Sequence, residues 1–175
     1  GKHEIDSVIL ITSHTINEGV VYDKDGVQVI AFLVDHADFI DNAFGFRLNY
    51  KGRSVVISGD TRYNENLIKN SKGVDVLIHE VALAHRELIK KSEIARQIQS
   101  FHTTPEEAGK IFLTVNPRLA IYSHISMILT DPTIPPANIN DLTTRTKTSY
   151  NGKVEIGEDL MIIEVGEKIA VRKPN

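Results

Sequence analysis

Four apolar, strand-like runs in this chain stop at an acid or a histidine, and that recurrence constrains the fold more than any other feature. Phe32-Leu33-Val34 runs into Asp35-His36, and Arg53–Ile57 runs into Ser58-Gly59-Asp60-Thr61. Val74–Ile78 ends at His79-Glu80, and Leu119–Tyr122 delivers Ser123-His124. Short β-branched runs bounded by turn residues are strand signals. An ionisable group at the end of a buried strand is costly unless it is paired or holds a cation.

The rest of the first half also reads as strands, at Ser7–Thr12, Gln28–Val34 and Phe44–Tyr50. Asp23-Lys24-Asp25-Gly26 signals a turn, and Lys51-Gly52 predicts a two-residue hairpin into Arg53–Ile57. From Glu80 to Gln99, apolar residues at 81, 84, 88, 95 and 98 keep a helix-like stripe. Thr104-Pro105-Glu106-Glu107 predicts a helix start with a capping box and proline in the first turn, and the helix stops before Pro117. Pro135-Pro136 predicts the opening of a polar helix to Thr148. Asn151-Gly152 then turns into closing strands at Val154–Ile156 and Leu160–Val165. Strands alternating with helices and ending in candidate ligands predict an α/β fold, a half-sandwich of mixed sheet covered by helices. With 175 residues, 41% of them apolar, one domain over residues 1–175 is expected.

The chain carries 23 acidic and 20 basic residues, a net charge of −3, so it lacks the basic footprint of a DNA-binding protein. Arg86, Lys90, Lys91 and Arg96 are spaced to share one helix surface, a pattern that reads first as a solvated face and second as an RNA contact. No cysteine is present, which excludes disulfides and thiolate metal sites. Any metal must sit on His, Asp or Glu, a donor set suited to zinc, manganese or iron. A cytoplasmic location is expected. No run approaches the roughly 18 apolar residues of a membrane span, and no basic-then-apolar leader opens the sequence. The start, Gly1-Lys2-His3, fits a processed end or tag remnant as well as a start inside a longer gene product.

Asp60 is the strongest single candidate for chemistry. Gly59 permits a tight turn, and Ser58 and Thr61 can hold the carboxylate by hydrogen bonds. The same string also serves as an Asx-turn at a strand end. His36 and His124 each close an apolar run, where a histidine is either a satisfied structural residue or a metal ligand. His102 sits beside the predicted cap at Thr104 and could be a buried structural histidine there. His85, among Arg86 and Glu87, reads as a surface residue, and no motif surrounds His3 or His14.

Three strings in order resemble the last three ligand motifs of the metallo-β-lactamase superfamily, and its ribonuclease Z-like branch most of all. They are Val34-Asp35-His36, Ser58-Gly59-Asp60-Thr61 and Tyr122-Ser123-His124-Ile125-Ser126. Gly45-Phe46-Arg47 resembles the family's glycine-aromatic-basic strand start. Leu77-Ile78-His79-Glu80-Val81 is similar to the branch's His-Glu-Ala-Thr motif, with Val81-Ala82 in place of Ala-Thr. Phe101-His102-Thr103-Thr104 is similar to its His-Ser-Thr motif. The resemblance spans Val27 to Val165. It implies two divalent ions, zinc in the first place, with His36, Asp60 and His124 as ligands and Asp60 bridging. It also implies cleavage of an ester or phosphodiester by a metal-bound hydroxide. His102, poised by Glu80 within the His79-Glu80 motif, would protonate the expelled alkoxide.

The H-x-H-x-D-H string that supplies the superfamily's other ligands is absent from this sequence. The resemblance is therefore to a C-terminal half. Each ion would keep two protein ligands here, fewer than the three usual for a catalytic zinc, so activity of the chain alone is not expected. An N-terminal half or a second copy of the chain is the expected partner. The short interval between His36 and Asp60 has no room for a long tRNA-gripping arm, which favours a small ester or phosphodiester over tRNA 3′ processing, with RNA still open as a substrate. The competing reading is a non-catalytic half-domain or binding module that self-associates as a dimer, covering its open edges and apolar faces.

Overall fold

The computed structural model describes residues 13–174, so the strand expected at Ser7–Thr12 lies outside the described residues. Seven strands pair in chain order: β1 (Gly19–Lys24), β2 (Val27–Val34), β3 (Ala43–Tyr50), β4 (Arg53–Ile57), β5 (Val76–Ala84), β6 (Leu119–Ile128) and β7 (Val154–Ile156). The first four are antiparallel neighbours, with two-residue turns between β1 and β2 and between β3 and β4 and a longer loop over residues 35–42 between β2 and β3. From β4 to β7 every pairing is parallel. As a result β2, β4, β5 and β6 all run the same way. His36 and Asp60 follow the ends of β2 and β4, whereas Glu80 and His124 lie within β5 and β6, which run on past the points where the sequence reading ended them. These side chains collect at one end of the sheet. A separate hairpin, β8 (Ile162–Val165) with β9 (Ile169–Arg172), follows. The α/β half-sandwich expected from the sequence is the architecture observed.

Parallel neighbours need crossovers, and helices supply them. These are α1 (Glu65–Asn70), α2 (Arg86–Lys91), α3 (Glu93–Ser100), α4 (Pro105–Val115) and α5 (Ile139–Thr146). One sheet face, with Phe32, Val56, Leu77 and Tyr122, packs on Leu67 of α1, Ile111 and Phe112 of α4, and Leu142 of α5. The predicted capping box at Thr104 is present and fixes the start of α4. On the opposite face, strand register lines up Leu48, Val55, Val76 and Leu119, and beside them Phe46, Ile57, Ile78 and Ile121. The β8–β9 hairpin covers part of this apolar row through Ile163, Val165, Ile169 and Val171. Farther along the row Ile57 is 41% exposed.

Several boundaries differ from the sequence reading. The stripe from Glu80 onward does not begin a helix, because β5 continues to Ala84, pairing Val81–Ala84 with Ile125–Ile128 of β6. Val81, Ala82, Leu83 and Ala84 are all buried, and a strand covered on both faces carries no period for a pattern to detect. The helical part splits into α2 and α3 at Ser92, which caps α3 by accepting from the Ala95 N–H. Arg86, Lys90 and Lys91 thus lie on one helix and Arg96 on another. The helix expected from Pro135 starts instead at Ile139 behind an Asn138 capping box. Strands β1 and β9 were not anticipated.

Candidate active site at the sheet edge

Asp60 leaves β4 through a turn that only glycine fits. Gly59 has φ +63°, and a Cβ there would lie 2.2 Å from the Phe44 carbonyl oxygen. The Ser58 hydroxyl donates to the Gly59 carbonyl (2.6 Å) and accepts from the Glu80 N–H (3.0 Å), tying the ends of β4 and β5. Across the edge, Asp60 Oδ2 lies 3.3 Å from His124 Nε2. His124 reaches it through an irregularity in the β5–β6 ladder: His79 pairs with Tyr122 and Val81 with Ile125, so Glu80 stands opposite both Ser123 and His124. His124 has φ +44°, a left-handed conformation that is unusual for histidine. Bulges of this kind re-aim side chains beside functional sites.

His36 arrives on the loop after β2. The Thr61 hydroxyl accepts from the Asp35 N–H (3.3 Å), and the Arg62 N–H donates to the Asp35 carbonyl (2.8 Å). The Arg62 side chain pairs with Asp35 (3.3 Å) and Asp38 (2.8 Å). His36 donates its Nδ1–H to the Phe101 carbonyl (2.9 Å), which fixes the tautomer and leaves Nε2 with its lone pair. The His36 and His102 rings lie 4.9 Å apart, and the His102 and His124 rings 6.0 Å apart. Three histidines and Asp60 therefore form one continuous cluster.

Behind the cluster sits an almost fully buried carboxylate. Glu80 accepts from the Thr103 N–H at Oε1 (2.7 Å) and from His102 Nδ1–H at Oε2 (3.1 Å). The Thr103 hydroxyl donates to the Thr61 carbonyl (2.7 Å), so one fully buried threonine ties the Glu80–His102 pair to the segment that carries Asp60. The hydrogen bond to Glu80 holds the His102 pKa above the ordinary histidine value, partly opposed by burial. Ser58 and Thr61, expected to hold the Asp60 carboxylate, instead bond to backbone: the Ser58 hydroxyl donates to the Gly59 carbonyl and the Thr61 hydroxyl to the Asp35 (3.2 Å) and Arg62 (2.8 Å) carbonyls. Arg62 was not singled out from the sequence, and Thr103 appeared there only within the Phe101-His102-Thr103-Thr104 string.

Residues 3–125 match the family model described as "Beta-lactamase superfamily domain". The chain belongs to the metallo-β-lactamase superfamily. Within it, the chain is similar to the ribonuclease Z of Mycobacterium sp. (strain KMS), 27% identical over 159 residues, covering 91% of this chain and 54% of the relative. It is 29% identical to the ribonuclease Z of Mycolicibacterium gilvum over 152 residues, covering 86% and 50%. In fold it resembles the metallo-β-lactamase fold protein YhfI from Bacillus subtilis (TM-score 0.60, 18% identity, 78% of this chain and 49% of that one). It also resembles the short form of human tRNase Z (TM-score 0.56, 24% identity, 84% and 46%). The chain spans about half the length of these relatives. It is a ribonuclease Z-like member of the superfamily.

Superfamily membership raises the question of metal, and the donor set at the edge fits a partial site. Nε2 of His36 and of His124, borderline donors, and the harder Asp60 carboxylate are all of the kind zinc takes, and all are at least partly exposed. The Nδ1–H of His36 is anchored on a backbone carbonyl, the supporting bond that metal-ligating histidines usually make. Among the described residues, no group of three or more such side chains converges tightly enough to hold an ion alone.

His79, expected with the catalytic group, is placed elsewhere. It is fully buried, its ring edge-on to Phe112 of α4 at 6.0 Å, with Nδ1–H donating to the Glu80 carbonyl (2.6 Å). Neighbours on a strand face opposite ways, so Glu80 reaches the site and His79 the core. Among the described residues its Nε2 has no hydrogen-bond partner, and burial lowers its pKa. His85 is not on a helix face but N-caps α2, accepting from the Glu87 N–H (3.3 Å).

Proposed function

We propose that this chain supplies the C-terminal part of the active site of a metal-dependent hydrolase that cleaves an ester or phosphodiester. The observation that carries the reading is the gathering of His36, Asp60, His102 and His124 at one sheet edge, with Glu80 buried behind His102. His36, Asp60 and His124 would hold two divalent ions, zinc in the first place, with Asp60 between them. When bound, the ions supply Lewis acidity and a nucleophile from water at neutral pH. His102 is not a ligand in this scheme. Glu80 fixes its tautomer with Nδ1 protonated and keeps it cationic to higher pH than an ordinary histidine, so it can hand a proton to the departing oxygen.

The relatives named ribonuclease Z make RNA one candidate among the phosphodiester substrates. We take the cytoplasm as its place of action; no helix among the described residues is long and apolar enough to cross a membrane. We take residues 1–175 to act as one domain. The remaining ligands would come from an N-terminal half, and the half-exposed apolar row around Ile57 is a surface for it to cover. That same row supports a second reading, in which two copies pair through it as a non-catalytic dimer.

The test is turnover of bis(p-nitrophenyl) phosphate by the full-length protein before and after chelation. Activity should vanish with chelator and return with zinc. Turnover that survives complete metal removal would sink the reading.

A further inference from the structure

The sheet does not by itself fix His36 relative to Asp60. β3 lies between β2 and β4, so no ladder joins the two segments that carry these residues. The loop after β2 is held from two sides instead. On one side Phe101, at the end of α3, accepts from His36 Nδ1–H (2.9 Å), and its ring packs edge-on against Phe39 at 5.5 Å. On the other side stand Thr61 and Arg62, the residues that follow Asp60. The Asp35 N–H donates to the Thr61 hydroxyl (3.3 Å), and the Asp35 carbonyl accepts from the Arg62 N–H (2.8 Å). These bonds reach only the residue before His36. The Arg62 guanidinium reaches both sides of it. Its Nε lies 3.3 Å from Asp35 Oδ1, an ion pair without the alignment of a hydrogen bond, and Nη2 donates to Asp38 Oδ1 (2.8 Å).

We propose that Arg62 is a positioning residue: by gripping Asp35 and Asp38 it holds the intervening His36 in place relative to Asp60. A contribution to overall stability does not explain the arrangement. The Asp35 and Asp38 side chains are 55% and 90% exposed, and ion pairs so open to water add little to a fold. A guanidinium presents a rigid fork that can serve two acids at once, where an ammonium is a point charge. The segment leaving Asp60 thus carries the clamp for the loop that bears His36, and the two candidate ligands are tied into one unit. That they are zinc ligands rests on the hydrolase reading; the grip on the loop does not.

The experiment compares Arg62→Ala and Asp38→Asn with the unaltered full-length protein. Without metal, proton–nitrogen spectra of the histidine rings report the His36 Nδ1–H, which the bond to Phe101 should protect from exchange. Both variants should lose that protection, while the His102 Nδ1–H held by Glu80 keeps its own. With zinc titrated against a chromophoric chelator, affinity at the ion that His36 would hold should fall about 10–100-fold, the usual cost of losing a group that orients a ligand. The melting temperature of the metal-free protein should fall by only about 2–4 °C. Asp38→Asn changes an exposed side chain and serves should Arg62→Ala fail to fold. A His36 Nδ1–H that is unprotected from the outset, or that stays protected in the variants, would overturn the proposal. So would unchanged zinc affinity, or equal loss of protection at His102 with a large fall in melting temperature, which would mark a general loosening. Loss of the His36 signal in a protein that binds no zinc would leave the positioning role standing and remove the metal reading, so the two failures are separable.

Discussion

Asp60 and His102 stand within one cluster yet should fail in different ways when removed. In the full-length protein, Asp60→Ala should lower metal occupancy and turnover together, because the carboxylate is assigned to both ions. His102→Ala should leave metal content unchanged and lower the rate by about 10²–10⁴-fold, the usual contribution of a general acid. Elemental analysis alongside kinetics reads both, and loss of metal from His102→Ala would undo the assignment. His79 has a different consequence. Its pKa is depressed in the fold because burial disfavours the cation, so the unfolded chain binds the extra proton first. Its stabilising contribution is full above the ordinary histidine pKa of about 6.5 and is lost as pH falls from there towards the lower folded value. Melting temperature should therefore drop between about pH 7 and 5, and His79→Leu should flatten that dependence. An identical pH profile for the variant would show that another group is responsible.

At the scale of elements, strand ends were legible and strand interiors were not. Asp60, His36 and His124 could be picked out because each closes an apolar run with a residue that has no business in a core. The two halves of His79-Glu80 could not be separated, since adjacent residues share a motif but face opposite sides of β5. The extension of β5 to Ala84 stayed hidden because a strand buried on both faces lacks alternation, and spaced leucines and alanines imitate a helix. The irregular pairing that frames His124 leaves no local mark, as it depends on the registry of two strands distant in sequence. The turn at Gly59 is the element most exposed to a single change. Gly59→Ala combines a left-handed φ with a steric conflict against the Phe44 carbonyl, so β4 must shift and carry Asp60 with it. Lower thermal stability and lost metal affinity should appear together; a well-folded variant that retains its metal would contradict this account.

Taken whole, the molecule offers a sheet with one face sealed by helices and the other sealed in part. The isolated chain should hold zinc only weakly and sub-stoichiometrically after dialysis, since two donors per ion seldom suffice. It should also associate, either with itself or with an added N-terminal half, through the apolar row that includes Phe46, Leu48 and Ile57. Light scattering at low micromolar concentration reads the outcome. A monodisperse monomer with two firmly bound ions would contradict both the ligand count and the half-site geometry.

The turns at Asp25-Gly26 and Lys51-Gly52 sit at the opposite end of the sheet from the histidines, because β2 and β4 begin there and end at the cluster. These two reversals are thus kept a full strand length from the chemistry, whereas the reversal between β2 and β3 carries His36 into it. A fluorophore or a short epitope spliced between Lys51 and Gly52 would ride on the molecule as a passenger, reporting by energy transfer on how copies or halves come together while the edge that handles substrate stays as it was.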